Sequence, residues 1–474
     1  MAKITFGTSG WRAIIAEDFT FENVSIVAQA IANYLAESKS KSIVIGYDTR
    51  FLSEKFAHSV AEVTSANKLH TFLAHRDVPT PVIAFEILRR KSGGGINITA
   101  SHNPPEYNGI KFSSNWGGPA TTDVTKQIEK NIQEILKGKK SVKKISIEEG
   151  VKKGNIEFIQ PYFAYFKRIK DIVDFKILKK LKKKIVVDCF YGTGRGYLDE
   201  LLSQAGCSTV ILHSKRDVLF GGKTPEPSGE NLQELIATVK SQNAVLGLAM
   251  DGDADRFGIV DRDGTYLTSN EVLVLLFKYL VESRNWKGCV VRTIATTHLI
   301  DAMASKYNVP VRETPVGFKY IGEIMTKEDI IIGGEESGGL SVYRHIPEKD
   351  GILACLLIAE LVAAYGGKTL KSILKEIHKE FGTYYNSRMS LKLGEDKKVK
   401  LLHLFKNNPP EKLGYLKVTH LDTRDGFKFI LEDGNWMLMR FSGTEPLVRL
   451  YFEATNLKSL QALKKSTREI ISKL

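Results

Sequence analysis

The stretch "DGDADR", residues 251–256, places Asp251, Asp253 and Asp255 at alternate positions with Arg256 beside them. Three carboxylates in so short a loop repel one another unless a cation neutralises them, and an all-oxygen set suits Mg²⁺ or Ca²⁺. A solvated acidic turn has the same composition, but the apolar run "AVLGLAM" just before it marks a strand end, which favours metal binding. An EF-hand is excluded, because loop position 6 is Arg256 instead of glycine and position 12 is Arg262 instead of glutamate.

Three further loops carry chemistry-bearing residues. "TASHNPPEYNGIKF" (99–112) puts Ser101 after the strand-like "GGGINITA" (93–100). Ser101 reads either as a nucleophile at a strand's carboxyl end or as a hydroxyl in a tight turn. "GGEESGG" (333–339) flanks Glu335, Glu336 and Ser337 with paired glycines, an acceptor-rich group suited to sugar hydroxyls or simply a flexible acidic turn. "RFSGTEPLVR" (440–449) gathers Arg440, Ser442, Gly443, Thr444 and Arg449 into a phosphate cradle or a polar hairpin. Two other glycine loops fail as nucleotide motifs. In "VVDCFYGTGRGY" (186–197) the third glycine of a dinucleotide fingerprint would fall on Tyr197, and "FGTSGWR" (6–12) lacks the GK[ST] ending of a P-loop.

The elements that must position these loops alternate. Val24, Val27, Ile31 and Leu35 recur at helical spacing before the apolar run "SIVIGYD" (42–48), and "TDVTKQIEKNIQEIL" (122–136) repeats that spacing. "KIVVDC" (184–189), "TVILH" (209–213), "AVLGLAM" (244–250), "CVVRT" (289–293) and "IIIGGEES" (330–337) read as strands, with a helix over "NEVLVLLFKYLV" (270–281). The pattern predicts successive α/β units with mainly parallel strands. From about residue 415, short strands and a terminal helix predict a small α+β domain, and the polar segment 391–411 reads as a junction before it.

The chain's 474 residues exceed one ordinary core, and its composition is that of a soluble globular protein. The N-terminus has no signal-peptide h-region, and the apolar run "ILACLLIAELVAAY" (352–365) is too short to span a bilayer and contains Glu360, so it predicts a buried helix. Cys189, Cys207, Cys289 and Cys355 are scattered, which fits reduced thiols in a cytoplasmic protein. The net charge of +14 comes largely from "LKGKKSVKK" (136–144) and "ILKKLKKK" (177–184). Without interleaved aromatics these read as solvated faces and not as a nucleic-acid surface.

Taken in order, "FGTSGWR", "TASHNPPEYNGIKF", "DGDADR", "TPVGFK" (314–319), "GEESGG", "HIPEKDG" (345–351) and "RFSGTEPLVR" resemble the motifs of the α-D-phosphohexomutases, closest to the phosphoglucomutase-like branch. The resemblance covers nearly the whole chain. It implies three similar α/β domains with mixed, mainly parallel sheets and a smaller C-terminal α+β domain around a central cleft. The expected boundaries are 1–148 with the phosphoserine loop, 149–262 with the metal loop, 263–385 with the sugar loop and 386–474 with the phosphate loop.

By matching, the resemblance makes Ser101 the phosphorylated serine, and Asp251, Asp253 and Asp255 its Mg²⁺ ligands, completed by a phosphoseryl oxygen. Arg12, His102, Lys111 and Arg256 form the shell around the serine, and Lys349 is a substrate-contacting lysine. Glu335 and Ser337 match the sugar loop, Gly317 the loop sensing sugar orientation, and Arg440, Ser442, Gly443, Thr444 and Arg449 the phosphate loop. The implied reaction interconverts glucose 1-phosphate and glucose 6-phosphate through a bound glucose 1,6-bisphosphate, which also primes Ser101. Lys111, His102 and Lys349 are candidate proton acceptors. Mannose or glucosamine phosphate is the alternative substrate, and a metal-dependent sugar phosphatase the opposing class. The expected partner is a hexose phosphate, with no nucleic acid or membrane, in a monomer or homodimer.

Overall fold

The computed structural model describes residues 4–7, 10–441 and 447–473. The chain divides into two compact units, one made of residues 1–288 and 317–371 and the other of 289–316 and 372–474.

The first unit opens with a six-stranded sheet in the order Trp11–Ile14, Tyr107–Ser114, Gly94–Ile98, Ser42–Tyr47, His70–Ala74, Ile156–Ile159. The last four strands run parallel and the first two pairings are antiparallel. All of Gly94–Ile98 is buried, as expected of a strand covered by helices on both faces. The helices Phe21–Glu37 and Thr122–Leu136 lay Val24, Val27, Ile31, Ile128 and Ile132 into one core with Ile43, Ile45, Ile96 and Ile110. This is the face that the helical spacing predicts.

A five-stranded mixed sheet follows, in the order Tyr266–Leu267, Phe257–Asp261, Leu246–Met250, Lys184–Asp188, Ser208–Leu212. Its parallel half is Leu246–Met250, Lys184–Asp188 and Ser208–Leu212. The other half is antiparallel, because Leu246–Met250 turns straight back into Phe257–Asp261 as a hairpin. A second hairpin, Ile330–Gly334 with Leu340–Val342, belongs to the same unit. The apolar helix Gly351–Ala364 is buried from end to end except for Ala364 itself. Its single charge, Glu360, accepts from Tyr279 Oη at 2.6 Å and from the Asp174 N–H at 2.8 Å, and it pairs with Arg284. Those partners are what make a carboxylate tolerable there. Among the described residues no helix is long and apolar enough to cross a membrane.

The second unit contains the parallel pair Cys289–Thr293 and Val311–Thr314 and a six-stranded, wholly antiparallel sheet. That sheet runs Tyr385–Lys392, Leu447–Ala454, Trp436–Phe441, Phe427–Leu431, Leu416–Asp422, Lys412–Leu413 and carries the helix Leu457–Ser472, which is the small α+β fold expected. Segment 391–411 differs from expectation. It holds the end of one strand and the helix Glu395–Asn407, which docks through only two buried side chains, Leu401 and Phe405. Two apolar anchors in a lysine-rich stretch leave too weak a periodic signal to separate this helix from a linker.

Candidate active site

Strand Gly94–Ile98 delivers Thr99, Ala100 and Ser101 to the carboxyl edge of the first sheet. Ser101 is a left-handed non-glycine residue at φ 53°, the kind of backbone strain that surrounding contacts must hold in place. Its N–H donates to Thr99 Oγ1 at 2.9 Å, and its hydroxyl donates to Asp251 Oδ2 at 2.8 Å. His102 Nδ1 lies 3.4 Å from Ser101 Oγ, and Arg12 Nη1 donates to Asn103 Oδ1 at 2.6 Å.

The aspartate loop is the turn of the Leu246–Met250/Phe257–Asp261 hairpin, closed by the Met250–Phe257 pair. One oxygen from each of Asp251, Asp253 and Asp255 lies within 4.8 Å of the others, and all three residues are buried. Lys111 Nζ donates to Asp253 Oδ2 at 2.6 Å and to Asp255 Oδ2 at 2.8 Å, and Lys349 Nζ reaches Asp255 Oδ2 at 2.8 Å. Arg256 Nε stands 3.9 Å from Asp255 Oδ1. The remaining oxygens Asp253 Oδ1 and Asp255 Oδ1 are buried without a hydrogen-bond partner. Buried carboxylate oxygens without a partner, on three residues whose carboxylates approach this closely, fit a hard divalent cation.

The three carboxyls are electrostatically unlike. Burial, then Asp255 and Asp253, pushes Asp251 well above the usual carboxylate range. Burial acts the same way on Asp255, but Lys111, Lys349 and Arg256 outweigh it and hold that carboxyl well below the range. Burial disfavours the charge on Lys111, yet Asp253 and Asp255 prevail and keep it a firm ammonium. His102 is pushed well below the ordinary imidazole value by burial and by Arg256 and Arg12, so it stays neutral.

The sugar-loop residues belong to the same unit. Glu335 follows strand Ile330–Gly334, is buried, and accepts the Gly317 N–H at 2.8 Å. Burial raises its carboxyl to about 6 against the pull of Lys349. Gly317 has φ 133°, a conformation that favours glycine, at the start of helix Phe318–Met325. Ser337 is half-buried, and Glu336 Oε2 is buried without a partner. Lys349 precedes Asp350, which caps helix Gly351–Ala364 through the Leu353 N–H and accepts from Tyr165 Oη at 2.7 Å.

In the second unit, Arg440 and Arg449 stand directly opposite on adjacent antiparallel strands. Like charges in that register repel, and a bound anion would relieve them. Asp425 bridges Arg440 at 3.0 Å and accepts the Val316 N–H at 2.7 Å. Ser442, Gly443 and Thr444 lie outside the described residues.

Sequence reasoning missed several supporting groups. Thr80 donates its hydroxyl to Asp253 Oδ2 at 2.5 Å and receives Asn97 Nδ2 at 2.7 Å. Arg50 is wholly buried beneath the serine loop. Both follow strand ends, where the polar "DTR" after "SIVIGY" and the "TP" after "RDV" were the available signals. The glycine loop after "VVDCFY" also finds a place, since a Cβ on Gly192 would meet Gly252 O of the aspartate loop at 2.7 Å. Only glycine permits that approach.

Family models of phosphoglucomutase/phosphomannomutase match in chain order. α/β/α domain I matches residues 3–139, domain II 163–264, domain III 268–381 and the C-terminal domain 392–470. The chain is 33% identical over 470 residues to a Methanosphaera stadtmanae protein named "Probable phosphoglucosamine mutase", covering 99% of this chain and 98% of that one. It is 32% identical to a phosphoglucomutase/phosphomannomutase of Thermococcus kodakarensis, covering 96% and 95%. The crystal structure of a provisionally assigned phosphomannomutase from Thermus thermophilus superposes with a TM-score of 0.85 at 33% identity, over 99% of both chains.

Proposed function

The chain belongs to the phosphoglucomutase/phosphomannomutase family, and from that premise we propose that it interconverts glucose 1-phosphate and glucose 6-phosphate with Ser101 as phosphoryl carrier. The observation that carries the reading is the 2.8 Å contact of Ser101 Oγ with Asp251 at the edge of the buried aspartate cluster.

Asp251, Asp253 and Asp255, with an oxygen of the phosphorylated serine, would hold Mg²⁺, which offsets charge on the transferring phosphoryl oxygens. A free hydroxyl of the hexose phosphate attacks the phosphorus, the bond from phosphorus to Ser101 Oγ breaks, and glucose 1,6-bisphosphate results. The bisphosphate turns over, and Ser101 takes back the other phosphoryl group. Phosphoryl transfer of this kind depends mostly on positioning and charge. Lys111, tied as an ammonium between two carboxylates, has no lone pair for the hydroxyl proton. His102, whose Nδ1 borders Ser101 Oγ, and Lys349, whose Nζ lies 2.8 Å from Asp255 Oδ2, are the remaining candidates for that proton. Glu335, Ser337, Gly317 and Lys349 are assigned to the sugar, and Arg440 and Arg449 to the phosphate that does not react. Four free, buried cysteines are in keeping with a cytoplasmic enzyme.

The stretches "GEES" and "GFK" support glucose by resemblance to the glucose-specific branch, since dual phosphomannomutase/phosphoglucomutases more often carry methionine in place of Glu336 and histidine in place of Phe318. Glucosamine phosphate is the second reading, supported by the name of the Methanosphaera relative and by the unpartnered Glu336 Oε2, a carboxylate oxygen able to accept from a sugar ammonium. A coupled assay of the 1-phosphates of glucose, mannose and glucosamine, with Mg²⁺ and a trace of glucose 1,6-bisphosphate, separates them. The highest kcat/KM is expected for glucose. Release of inorganic phosphate without isomer interconversion would overturn the mutase reading.

A further inference from the structure

Arg50 lies in the segment 48–53 that follows strand Ser42–Tyr47 and has no solvent exposure. Its Nη2 donates to Ser101 O and to Asn103 O, both at 2.7 Å. Its Nη1 donates to Pro104 O at 2.7 Å and Tyr107 O at 2.9 Å, and its Nε donates to Asp48 Oδ2 at 3.1 Å. Every N–H of the guanidinium is therefore engaged, four of them on backbone carbonyls of the serine loop. Asp48 is fixed in turn by the Arg50 N–H at 3.0 Å and by Ser53 Oγ at 2.8 Å. The ring of Phe220 covers the guanidinium at 5.0 Å.

A buried loop needs donors for its carbonyls, and a structural clamp would supply them wherever they fell. Here they converge on the residue that matters. One of the four is the carbonyl of Ser101 itself, at the left-handed φ of 53°. The same carbonyl oxygen also abuts Gly252 of the aspartate loop, where a Cβ would stand 2.8 Å away. The serine backbone is thus held by the guanidinium and packed against the loop carrying Asp251, and the Ser101–Asp251 distance follows.

We propose that Arg50 is a positioning residue for phosphoryl transfer, holding Ser101 in the strained backbone that keeps its Oγ against the aspartate cluster. The proposal rests on Ser101 being the phosphoryl carrier. Lysine keeps the charge but offers one head in place of a fork, so it cannot span four carbonyls.

The test compares wild type with Arg50→Lys after incubation with glucose 1,6-bisphosphate, mapping phosphate on Ser101 by mass spectrometry. The kcat and KM for glucose 1-phosphate are then measured per phosphorylated site. Misplacement of the serine should lower kcat by about 100-fold, with KM changed by less than about twofold, since uniform binding is untouched. A purely structural role would reduce the phosphorylatable fraction and leave kcat per phosphorylated site unchanged, and that result would overturn the proposal. Wild type taking no phosphate on Ser101 would instead refute the carrier reading. If Arg50→Lys does not fold, Ser53→Ala, which loosens Asp48 and keeps the guanidinium, decides: a lower kcat at constant KM supports the proposal and an unchanged kcat defeats it.

Discussion

Thr80 holds Asp253 at both ends, giving its hydroxyl to Oδ2 at 2.5 Å and its N–H to the Asp253 carbonyl at 2.9 Å, across 173 residues of sequence. Outer contacts of this kind orient a carboxylate for a cation. Thr80→Val keeps the shape and deletes the hydroxyl. The Mg²⁺ affinity measured by titration calorimetry should fall by about 10-fold, and the metal-free protein should lose about 1–3 kcal/mol of stability because the buried Asn97 Nδ2 loses its acceptor.

Ser101→Ala should leave the fold intact, since the hydroxyl's one strong bond is to Asp251. Turnover in the coupled assay should drop by at least about 1000-fold. Intact mass should show no phosphate gained from glucose 1,6-bisphosphate.

Gly252 cannot be replaced cheaply. A Cβ there would stand 2.8 Å from Ser101 O and 3.2 Å from Pro225 Cγ, and the first contact is with backbone. Gly252→Ala must push the serine and aspartate loops apart, so kcat should fall by about 100-fold. Thermal melts should show a loss of about 1–3 kcal/mol of stability.

Glu348 supplies a pH signature. It is buried, and burial raises its carboxyl from 4.5 to about 7 despite Lys349. The folded state therefore binds this proton more tightly than the unfolded chain does. Its contribution to stability is fully present below the unfolded value and is lost as pH rises through about 7. Glu348→Gln should melt higher than wild type at about pH 8 and no differently at about pH 4.

The sequence revealed much of the architecture because its signals are periodic or sharply local. The helix read over 122–136 is the helix Thr122–Leu136, since its apolar residues recur regularly and Thr121 and Thr122 open it. The apolar run around Glu360 is a buried helix whose one charge is matched by Arg284 and Tyr279, partners that no local pattern announces. The aspartate loop was legible because three carboxylates after an apolar strand are chemically conspicuous. That it turns a strand back antiparallel was not, because "FGIVD" looks the same in either direction. Arg50 and Thr80 stayed hidden for a related reason: their roles lie in contacts about 50 and 170 residues away, while locally Arg50 sits in an ordinary bend and Thr80 merely opens the helix Thr80–Arg90.

The aspartate hairpin has a consequence for how the chain reaches its native state. Asp251, Asp253 and Asp255 share one tight turn, which can close within microseconds of the strands meeting. The counter-charge on Asp253 comes from Lys111, 142 residues away, and long-range pairings form late. For part of the folding time the hairpin carries concentrated negative charge, only partly offset by Arg256, that resists closure. A divalent cation in the refolding medium substitutes for the absent lysine. Refolding by stopped flow should therefore be faster with MgCl₂ than with NaCl of equal ionic strength, and Asp253→Asn should narrow the difference.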